Sequence, residues 1–439
     1  MLFASLLHPG TECHAKSRNQ MRDTAFLTAK KILVITIGYP HPSRGASSVL
    51  FYWYLAALRK SDFRVEHLLL VSPEEVSAQS EQEYLEAISP DTGFAVSIFS
   101  VLNAREVRRS GLNLQACELT NDVLSHVRSF HPDAVVCFDI TAAEIAQRVR
   151  LDRLLIWLGD LSFQTGFYHA YYDFKAAPSK FLGLIRSYLS GLLWKRYYRK
   201  ILCGQQHVIT SSYSSVARLA RLGITSRYWP YPWPGESSTE AAIVSKHAKP
   251  TFILFGTLAA LGSRSAFDFL LKSVYPLLLR TWGSGGFSIL ISGMRELPAW
   301  VRADLDLRPE LRFLGFVDNL VAEVGRCHAV LAPVSVPVGN RSRIVTAMSM
   351  GALVVAHANT ALGNSQLVSG HNCLLASSAS EFAEHMRRAH ANPDLASRLG
   401  ASARETYLQS FEPKNASKLL VEELKSILSS PKAAPAEHD

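Results

Sequence analysis

The chain has 439 residues, of which 48% are hydrophobic and 19% are charged, and its formal net charge is +9. This length and composition predict two or three globular domains and exclude a disordered chain. A basic balance suits an anionic substrate, a membrane surface or nucleic acid, and charge alone does not choose among them.

The six cysteines are scattered, without a CxxC motif or a cluster with histidine. A zinc site is therefore not expected, and the pattern is typical of reduced thiols in a cytosolic protein. No run reaches the ~18 uncharged apolar residues that a transmembrane helix needs. Residues 1–28 lack a clear pattern and are predicted to be a poorly ordered extension.

The first half of the chain alternates strand-like and helix-like segments. A helix through Tyr52, Leu55 and Leu58 lies between the first two strands, and two further helices are predicted. Alternation at this spacing indicates a parallel sheet in a doubly wound domain. The first loop lacks GxGxxG, so a nicotinamide-binding fingerprint is absent. The predicted strands are 31–38, 65–71, 94–100, 134–138, 154–158 and 207–210, and the further helices are 116–130 and 142–149.

Loops that follow parallel strands usually carry ligand contacts, and two such loops stand out. The first contains Arg44 and Gly45, after the first strand. In the second, Asp160 directly follows a strand, and His169 lies further along the same segment. A carboxylate at this position binds sugar hydroxyls or takes a proton, but it is equally well explained as a helix N-cap or turn residue. Histidines such as His169 are more often packing residues than catalytic ones.

Residues 179–202 predict a basic amphipathic helix that contains no acidic residue. Phe181 and Ile185 lie on its apolar face, and Arg186 and Lys195 are among its charges. One interpretation is contact with an anionic membrane surface or a lipid-linked substrate. The other, which we favour slightly because Lys and Arg often flank such helices, is an ordinary core-facing helix with a solvated face.

The second half repeats the alternation after a proline-rich stretch and a polar linker. The helix at 393–399 is predicted to end at Gly400, and a final helix runs to Ser429. Two doubly wound domains in series leave a cleft between them, which is the usual place for a ligand. Strands are predicted at 252–255, 287–291, 312–314, 329–333, 353–356 and 373–375, and helices at 266–280, 381–391 and 393–399.

The most informative stretch is residues 338–356, which predicts a loop, a helix and a buried strand. Gly339 suits the loop, and Gly351 suits the end of the helix. Arg341 and Arg343 then fall in the first helical turn, where free N–H groups and the helix dipole favour an anion. Cations are unfavourable there unless something negative is bound, so the arginines indicate a phosphate partner. The alternative is that both are solvated or pair with carboxylates elsewhere.

The order of short motifs in the second half resembles the nucleotide-sugar glycosyltransferases of the GT-B fold, in particular the large retaining family 4 (glycosyl transferases group 1). Any one of these motifs is weak evidence, and their combination is specific. The resemblance implies an α/β protein of two doubly wound Rossmann-like domains that face each other across a cleft. The motifs lie at 255–257, 290–293, 312–318, 332–333, 339–343, 346–356 and 367–375.

The resemblance also implies a division of the chain. The expected parts are the extension at 1–28, an acceptor domain at 29–234, a linker at 235–250, a nucleotide-sugar donor domain at 251–410, a helix at 411–430 that crosses back to the first domain, and a disordered tail at 431–439.

Site positions follow from the resemblance in the same way. Those expected near the donor diphosphate are Gly256, Thr257, Arg264 in the next loop, Arg341, Arg343, Gly363 and Asn364. Those expected near the nucleobase and ribose are Gly315, Phe316, Val317 and Thr346. Asp160, Arg341 and Arg343 are the expected catalytic residues, and Arg44, Gly45 and His169 are expected on the acceptor side.

One departure from the family concerns ribose binding. Family members commonly carry two glutamates eight positions apart, which correspond here to Val338 and Thr346. In the family the second glutamate binds the nucleotide ribose, whereas Thr346 carries no charge. Either ribose binding is altered, or the donor differs, or the chain has lost activity.

The implied reaction moves a sugar from a nucleoside-diphosphate sugar to a saccharide or lipid-linked acceptor with retention of configuration. Negative charge develops on the departing diphosphate, and Arg341, Arg343 and helix N–H groups are suited to stabilise it without a metal. The only DxD motif, Asp304-Leu305-Asp306, is weak evidence for a metal site. No resident cofactor is expected, and the expected location is cytoplasmic or peripheral at the inner membrane face.

Three other functions are alternatives to glycosyl transfer. A GT-B sugar-nucleotide epimerase would need paired carboxylates and a histidine, and no such set is apparent. A GT-B-like binding or partner subunit without catalysis is favoured by the lost glutamates and opposed by the two arginines. Nucleic-acid binding is the weakest alternative, because the positive charge is not interleaved with aromatic residues.

Overall fold

The computed structural model describes residues 29–43, 45–71, 82, 94–100, 121–236, 245–256, 260–339 and 341–431. The predicted extension at 1–28 and residues 432–439 of the predicted tail lie outside this part of the chain. So do Arg44 and Thr257, two of the predicted site residues.

Seven parallel strands build the first sheet, in the spatial order β3-β2-β1-β4-β5-β6-β7. The chain order reverses between β1 and β4, so the loops at their carboxyl ends diverge and leave a crevice there. The strands are β1 (Lys31–Ile37), β2 (Arg64–Val71), β3 (Phe94–Ser100), β4 (Ala134–Phe138), β5 (Leu154–Leu158), β6 (His207–Thr210) and β7 (Arg227–Tyr228).

The second sheet has six parallel strands in the order β10-β9-β8-β11-β12-β13, which repeats the same topology. Its own reversal lies between β8 and β11. The strands are β8 (Thr251–Phe255), β9 (Ser288–Ser292), β10 (Leu311–Gly315), β11 (Ala329–Ala332), β12 (Val354–His357) and β13 (Leu374–Ala376).

Helices cover both faces of the two sheets. In the first domain they are α1 (Ala46–Arg59), α2 (Asn121–Phe130), α3 (Ile140–Arg148), α4 (Ser162–Ala176), α5 (Phe181–Leu202) and α6 (Tyr213–Ala220). In the second they are α7 (Leu261–Phe269), α8 (Tyr275–Trp282), α9 (Ala299–Asp306), α10 (Leu320–Arg326), α11 (Ser342–Ser349), α12 (Ala379–Ala391) and α13 (Pro393–Ser410), and they are followed by α14 (Pro413–Ala416) and α15 (Lys418–Ser429).

The central strands are short apolar runs because helices bury them on both sides. All five residues of β4, β5 and β8 are buried, for example. This arrangement confirms the predicted α/β class with two doubly wound domains. It also brings the carboxyl ends of neighbouring strands to one edge of each sheet, where ligand-binding loops collect.

The helix predicted at 266–280 begins earlier than expected. It starts at Leu261, and a π-helical turn at Leu270–Val274 joins α7 to α8. Arg264, which was expected in a loop, therefore lies on α7. A side chain on a helix is held more firmly than one on a loop, and this affects what Arg264 contacts below.

The prediction that Gly400 ends a helix is wrong, because α13 continues through it to Ser410. A Cβ on Gly400 would lie 2.1 Å from the carbonyl oxygen of Gly351. Glycine is therefore required at position 400 because α13 packs closely on the backbone at Gly351, and the helix continues through this glycine. Gly351 has φ +67° and follows α11, as expected for a residue just past a helix end.

The two domains are connected by the aromatic stretch after β7 and by the last helix. The backbone N–H of Trp233 donates to the carbonyl of Phe411 (2.8 Å), and the Tyr407 hydroxyl donates to the carbonyl of Trp233 (3.0 Å). Helix α15 packs on α1 and β4 of the first domain, and His207 Nδ1 lies 2.6 Å from Glu423 Oε1. The chain that leaves the second domain thus ends on the first.

Candidate functional site

The carboxyl ends of three strands in the second sheet form an edge of glycines. Gly256, Gly293 and Gly315 have φ angles of +106°, +106° and +71°. The N–H of Gly293 donates to the carbonyl of Gly315 (3.0 Å), and a Cβ on Gly293 would lie 2.6 Å from the nitrogen of Gly256. We call these three residues the glycine edge. It exposes main chain without side chains, which allows a ligand to approach closely.

Arg343 lies in the first turn of α11 beside the glycine edge. A Cβ built on Gly256 would be 3.5 Å from the Arg343 guanidinium, which donates to Ser263 Oγ (2.9 Å). Burial and the neighbouring Arg341 lower the pKa of Arg343 to about 10. Because this value is still far above neutral pH, a shielded positive charge lies next to the edge.

Arg341 is the N-cap residue of α11, one position before the first turn in which it was predicted. Its side chain is buried and donates to the carbonyl of Val336 (2.8 Å). Burial lowers the pKa of Arg341 to about 10, and the charge of Asp160 opposes this effect. A Cβ on Gly339 would lie 2.6 Å from Asp160 Oδ2 and 3.1 Å from Arg341 Nη1. The loop before α11 therefore brings Arg341 and Asp160 together across the domains.

Asp160 is exposed at the carboxyl end of β5, and it does not cap the following helix. The N-cap of α4 is Leu161, and no side chain caps this helix. The N-cap alternative for Asp160 is thus not realised. The carboxylate lies at the cleft, and Arg341 is a cationic residue beside it.

Gly363 and Asn364 lie against the same loop. A Cβ on Gly363 would be 2.6 Å from the carbonyl oxygen of Gly339, and the Gly363 carbonyl accepts the N–H of Tyr213 (3.0 Å). Asn364 is fully buried next to the Tyr231 hydroxyl. Gly363 therefore shapes the loop by close packing, and Asn364 supports it from inside the fold.

Asp139 is a further candidate site residue, which the predictions from the sequence did not include. It follows β4 at the reversal of the first sheet and has φ 84° and ψ 161°, a conformation that glycine adopts easily and other residues rarely adopt. Its carboxylate accepts the N–H of Ile140 (2.6 Å). Strained non-glycine residues cluster at functional sites, and Asp139 shares its sheet edge with Asp160. The signal was present, because each aspartate lies within two residues of the end of a buried apolar strand.

His169, Asp173 and Arg264 form a charged group where α4 meets α7. Arg264 donates to Asp173 Oδ1 (2.7 Å) and to the carbonyl of Tyr172 (3.3 Å), so it bridges the two domains. His169 lies one turn before Asp173 on the exposed side of α4. Desolvation lowers the pKa of His169, although the charge of Asp173 opposes this effect. Arg264, expected at the diphosphate, is held by a first-domain carboxylate in this structure.

The two positions that correspond to the glutamates of the family, Val338 and Thr346, make packing and hydrogen-bond contacts inside the fold. Val338 is buried in the core of the second domain. Thr346 is also almost completely buried, and its Oγ1 accepts the indole N–H of Trp233 (2.9 Å). Thr346 therefore holds Trp233, which lies in the aromatic stretch between the two domains, and neither Val338 nor Thr346 supplies a carboxylate.

The remaining predicted positions surround the same cleft edges. Phe316 is 70% exposed directly after the glycine edge, and Val317 is half-buried. Gly45 has φ +73°, and its carbonyl accepts the N–H of Val49 (3.1 Å) in the first turn of α1. This glycine provides the turn that leads from the loop after β1 into the helix.

The DxD motif lies on α9, where Asp304 accepts a hydrogen bond from Arg308 (2.8 Å). Over the described ranges, no group of three or more His, Cys, Asp or Glu side chains is arranged to hold a metal ion. The search for membrane spans covered the same ranges, and each helix there is too short or too polar to cross a bilayer.

Residues 249–392 match the sequence family Glycosyl transferases group 1. This range includes the glycine edge, the loop before α11 and both arginines. No curated protein matches the chain in sequence.

Solved structures share the fold over nearly the whole chain. Anabaena Alr3699/HepE in complex with UDP has a TM-score of 0.61 at 15% identity, and the match covers 90% of this chain and 100% of that chain. A point mutant of S. aureus TarM in complex with fondaparinux, alpha-GlcNAc-glycerol and UDP has a TM-score of 0.58 at 10% identity. The match covers 91% of this chain and 100% of that chain. WaaG, a glycosyltransferase involved in lipopolysaccharide biosynthesis, has a TM-score of 0.56 at 11% identity, and the match again covers 91% of this chain and 100% of that chain. These similarities establish the GT-B fold.

Proposed function

We propose that this protein is a glycosyltransferase that moves a sugar from a nucleoside-diphosphate sugar to a saccharide or lipid-linked acceptor. The observation that carries the proposal is the shielded guanidinium of Arg343 beside the glycine edge. The group 1 match of residues 249–392 supports a transferase. HepE and TarM, which have the same fold, were solved with UDP, and this supports a nucleoside diphosphate as the leaving group.

The geometry suits a diphosphate for electrostatic reasons. The positive end of α11 favours an anion, and the absence of side chains at the glycine edge allows the anion to come close. Burial and, to a smaller extent, repulsion from Arg341 lower the pKa of Arg343, and the negative charge of a bound diphosphate would offset that repulsion. Phosphate is therefore the chemical group that the second-domain edge would bind best.

In the proposed reaction, the bond between the anomeric carbon and the diphosphate oxygen breaks as the acceptor oxygen bonds to that carbon, and the proton of the acceptor hydroxyl passes to the departing diphosphate. Arg341 and Arg343 stabilise the negative charge that develops on the diphosphate, which is the role a metal ion has in other transferases. The carboxylate of Asp160 accepts hydrogen bonds from hydroxyls of the transferred sugar. Retention of configuration, a hexosyl group and metal independence are parts of this proposal.

Calorimetric titration with UDP, GDP, ADP, TDP and their sugar conjugates tests the donor site. We expect saturable binding of one nucleotide class, weakened about 100-fold by Arg343→Ala, because hydrogen bonds from charged groups contribute about 1.5–3 kcal/mol. Arg302→Ala is the matched control, since Arg302 is an exposed arginine on α9 of the same domain. A folded wild-type protein that binds none of these nucleotides would contradict the proposal.

A second candidate is a GT-B-like subunit that binds a nucleotide sugar without catalysis. The observation that favours it is the engagement of Thr346 with Trp233 where the family has a ribose-binding glutamate. Donor hydrolysis and transfer to a panel of saccharides distinguish the two candidates. Nucleotide binding that is lost in Arg343→Ala, with neither hydrolysis nor transfer, would favour the binding subunit.

A further inference from the structure

Helix α5 turns a continuous row of large apolar side chains to solvent. Seven of them are 42–76% exposed, and we call them the α5 stripe. With 3.6 residues per turn they cover an arc of about 140° and a length of about 18 Å. The interpretation of this segment as an ordinary core-facing helix is therefore wrong for most of its length. The α5 stripe consists of Phe181, Leu182, Ile185, Tyr188, Leu189, Leu192 and Leu193.

Basic residues surround the α5 stripe. Residues 174–235 contain ten Lys or Arg residues and no Asp or Glu. By helical position, Arg186 and Lys195 border the stripe on its two sides, and Arg196 and Arg199 continue its line toward the end of the helix. Three of these four are exposed, and Lys195 is half-buried. The face thus combines apolar area with positive charge.

The opposite face of α5 is firmly packed, so the α5 stripe is preformed. A Cβ on Gly191 would lie 3.5 Å from the carbonyl oxygen of Phe163, which shows that α5 rests closely on α4. Tyr198 is buried edge-to-face against Phe163, with ring centroids 5.4 Å apart. The Tyr197 hydroxyl donates to Glu144 on α3 (2.8 Å). These contacts fix which side of the helix faces outward.

We propose that the α5 stripe docks this protein onto an anionic lipid bilayer. An amphipathic helix that lies in the membrane interface needs an apolar face for the acyl boundary and basic side chains for the headgroups, and α5 presents both. Charge opposes a second copy of the chain as the occupant, because pairing would bring two basic, acid-free faces together. The exposed apolar area opposes a purely polar partner.

The position of α5 links the bilayer to the cleft. Helix α4 begins two residues after Asp160, carries His169 and Asp173, and packs between α5 and α7. Two helix diameters, about 20 Å, therefore separate a bilayer on the outer face of α5 from the cleft side of α4. If the protein is the glycosyltransferase proposed above, this placement indicates that its acceptor is a saccharide carried on a lipid that remains in the bilayer.

Vesicle flotation of the full chain tests the docking without any assay of activity. The vesicles are phosphatidylcholine alone, and three parts phosphatidylcholine to one part phosphatidylglycerol. We expect flotation with the anionic vesicles that weakens in high salt, and a loss of about 100-fold or more in Leu182→Glu/Leu189→Glu. Leu307→Glu/Leu408→Glu is the matched control, because these exposed leucines lie on another surface. Unchanged thermal unfolding shows that both variants fold.

Two results would overturn the docking. One is a wild-type protein that stays with the soluble fraction, or that floats equally well after the α5 substitutions. The other is a wild-type dimer in light scattering that Leu182→Glu/Leu189→Glu converts to monomers, which would assign the α5 stripe to a second copy of the chain.

Transfer assays test the assignment of the acceptor. At saturating donor, we expect faster transfer to a lipid-linked saccharide in anionic vesicles than to the same saccharide without its lipid. The α5 variant should lose this preference and keep wild-type turnover on the free saccharide. Equal rates on both acceptors would overturn the lipid-linked assignment. Flotation without nucleotide binding would instead contradict the proposed transferase and leave the docking in place.

Discussion

The carboxyl edges of the two sheets face the same cleft, but they are built differently. In the second domain, the positive φ angles at the ends of β8, β9 and β10 belong to Gly256, Gly293 and Gly315, which carry no side chains. In the first domain, Asp139 holds a carboxylate at φ 84°, although glycine would adopt this angle with less strain. Asp160 adds a second carboxylate.

This contrast suggests different roles for the two edges of the cleft. Under the proposed function, a main-chain edge with shielded guanidinium groups would bind a group that every donor shares, the diphosphate. Side chains recognise groups that vary, such as sugar and acceptor hydroxyls. Disturbing the second-domain edge should therefore change nucleotide affinity and stability, whereas disturbing the first-domain carboxylates should change turnover.

The largest expected effect follows Gly293→Ala. A Cβ at this position meets the backbone of Gly256 at 2.6 Å and imposes φ +106° on an alanine, so we expect a loss of about 3 kcal/mol from strain and overpacking. Gly283→Ala is the control, because it has φ +74° and open space around the new methyl group, and about 1 kcal/mol is expected. Urea unfolding gives both values. Equal losses would show that the close approach at the glycine edge is unimportant.

Asp160→Asn should reduce turnover about 100-fold, equivalent to about 2.7 kcal/mol, while nucleotide affinity stays close to that of the wild type. The amide keeps the shape of the side chain and removes the charge that faces Arg341. Asp152→Asn, at the amino end of the same strand and away from the cleft, should leave both quantities unchanged. Nucleotide affinity that falls in parallel with turnover would place Asp160 in donor binding and weaken the contrast between the edges.

The first sheet also carries a buried titratable group, His67, which is fully buried and contacts Thr36 Oγ1 (2.8 Å). Burial lowers the pKa of His67 to about 3. The unfolded chain therefore takes up this proton first as pH falls, so stability is complete above pH 6.5 and falls between about pH 6.5 and 3. Between pH 7 and 5 we expect a loss of about 2 kcal/mol by urea unfolding.

His67→Gln keeps a partner for Thr36 and removes the titration, so it should show a smaller loss over the same pH range. A variant with the same pH dependence as the wild type would assign the effect to other groups.

The smallest expected effect tests the strain at Asp139. Asp139→Gly should raise stability by about 1 kcal/mol, because release of about 2 kcal/mol of strain exceeds the loss of the hydrogen bond to Ile140. Asp139→Ala keeps the strain and loses the hydrogen bond, so it should be less stable than the wild type. Thermal unfolding ranks the three proteins. An alanine variant as stable as the glycine variant would show that the conformation is unstrained.

Much of the fold was predictable because strands buried on both faces are short apolar runs that a local pattern reveals. β4, β5 and β8 appear almost where the sequence predicts them, and their alternation with helices indicates parallel sheets. Gly400 and Arg264 were misjudged for the same reason, since a local pattern does not show what packs against a residue. Gly400 packs against the carbonyl of Gly351, and Arg264 donates a hydrogen bond to the carboxylate of Asp173.

The candidate site was predictable only in part. The spacing from Gly339 to Arg343 and the position of Asp160 after a strand were visible in the sequence. The proximity of Arg341 and Asp160 was not, because these residues are far apart in the chain and lie on different domains. Ser263 and Tyr231 carried no signal at all, since a serine on a helix and a tyrosine between prolines have many ordinary explanations.

Hydrophobic period, charge and turn residues are local properties, so the two doubly wound domains, the basic acid-free segment and the arginine pair at the start of α11 could be inferred from the sequence. Which groups meet and which remain exposed depends on the tertiary structure. It placed Asp160 beside Arg341, turned Thr346 to Trp233 and left the α5 stripe facing solvent. The physical reason is that burial and pairing depend on neighbours that the chain brings together only after folding.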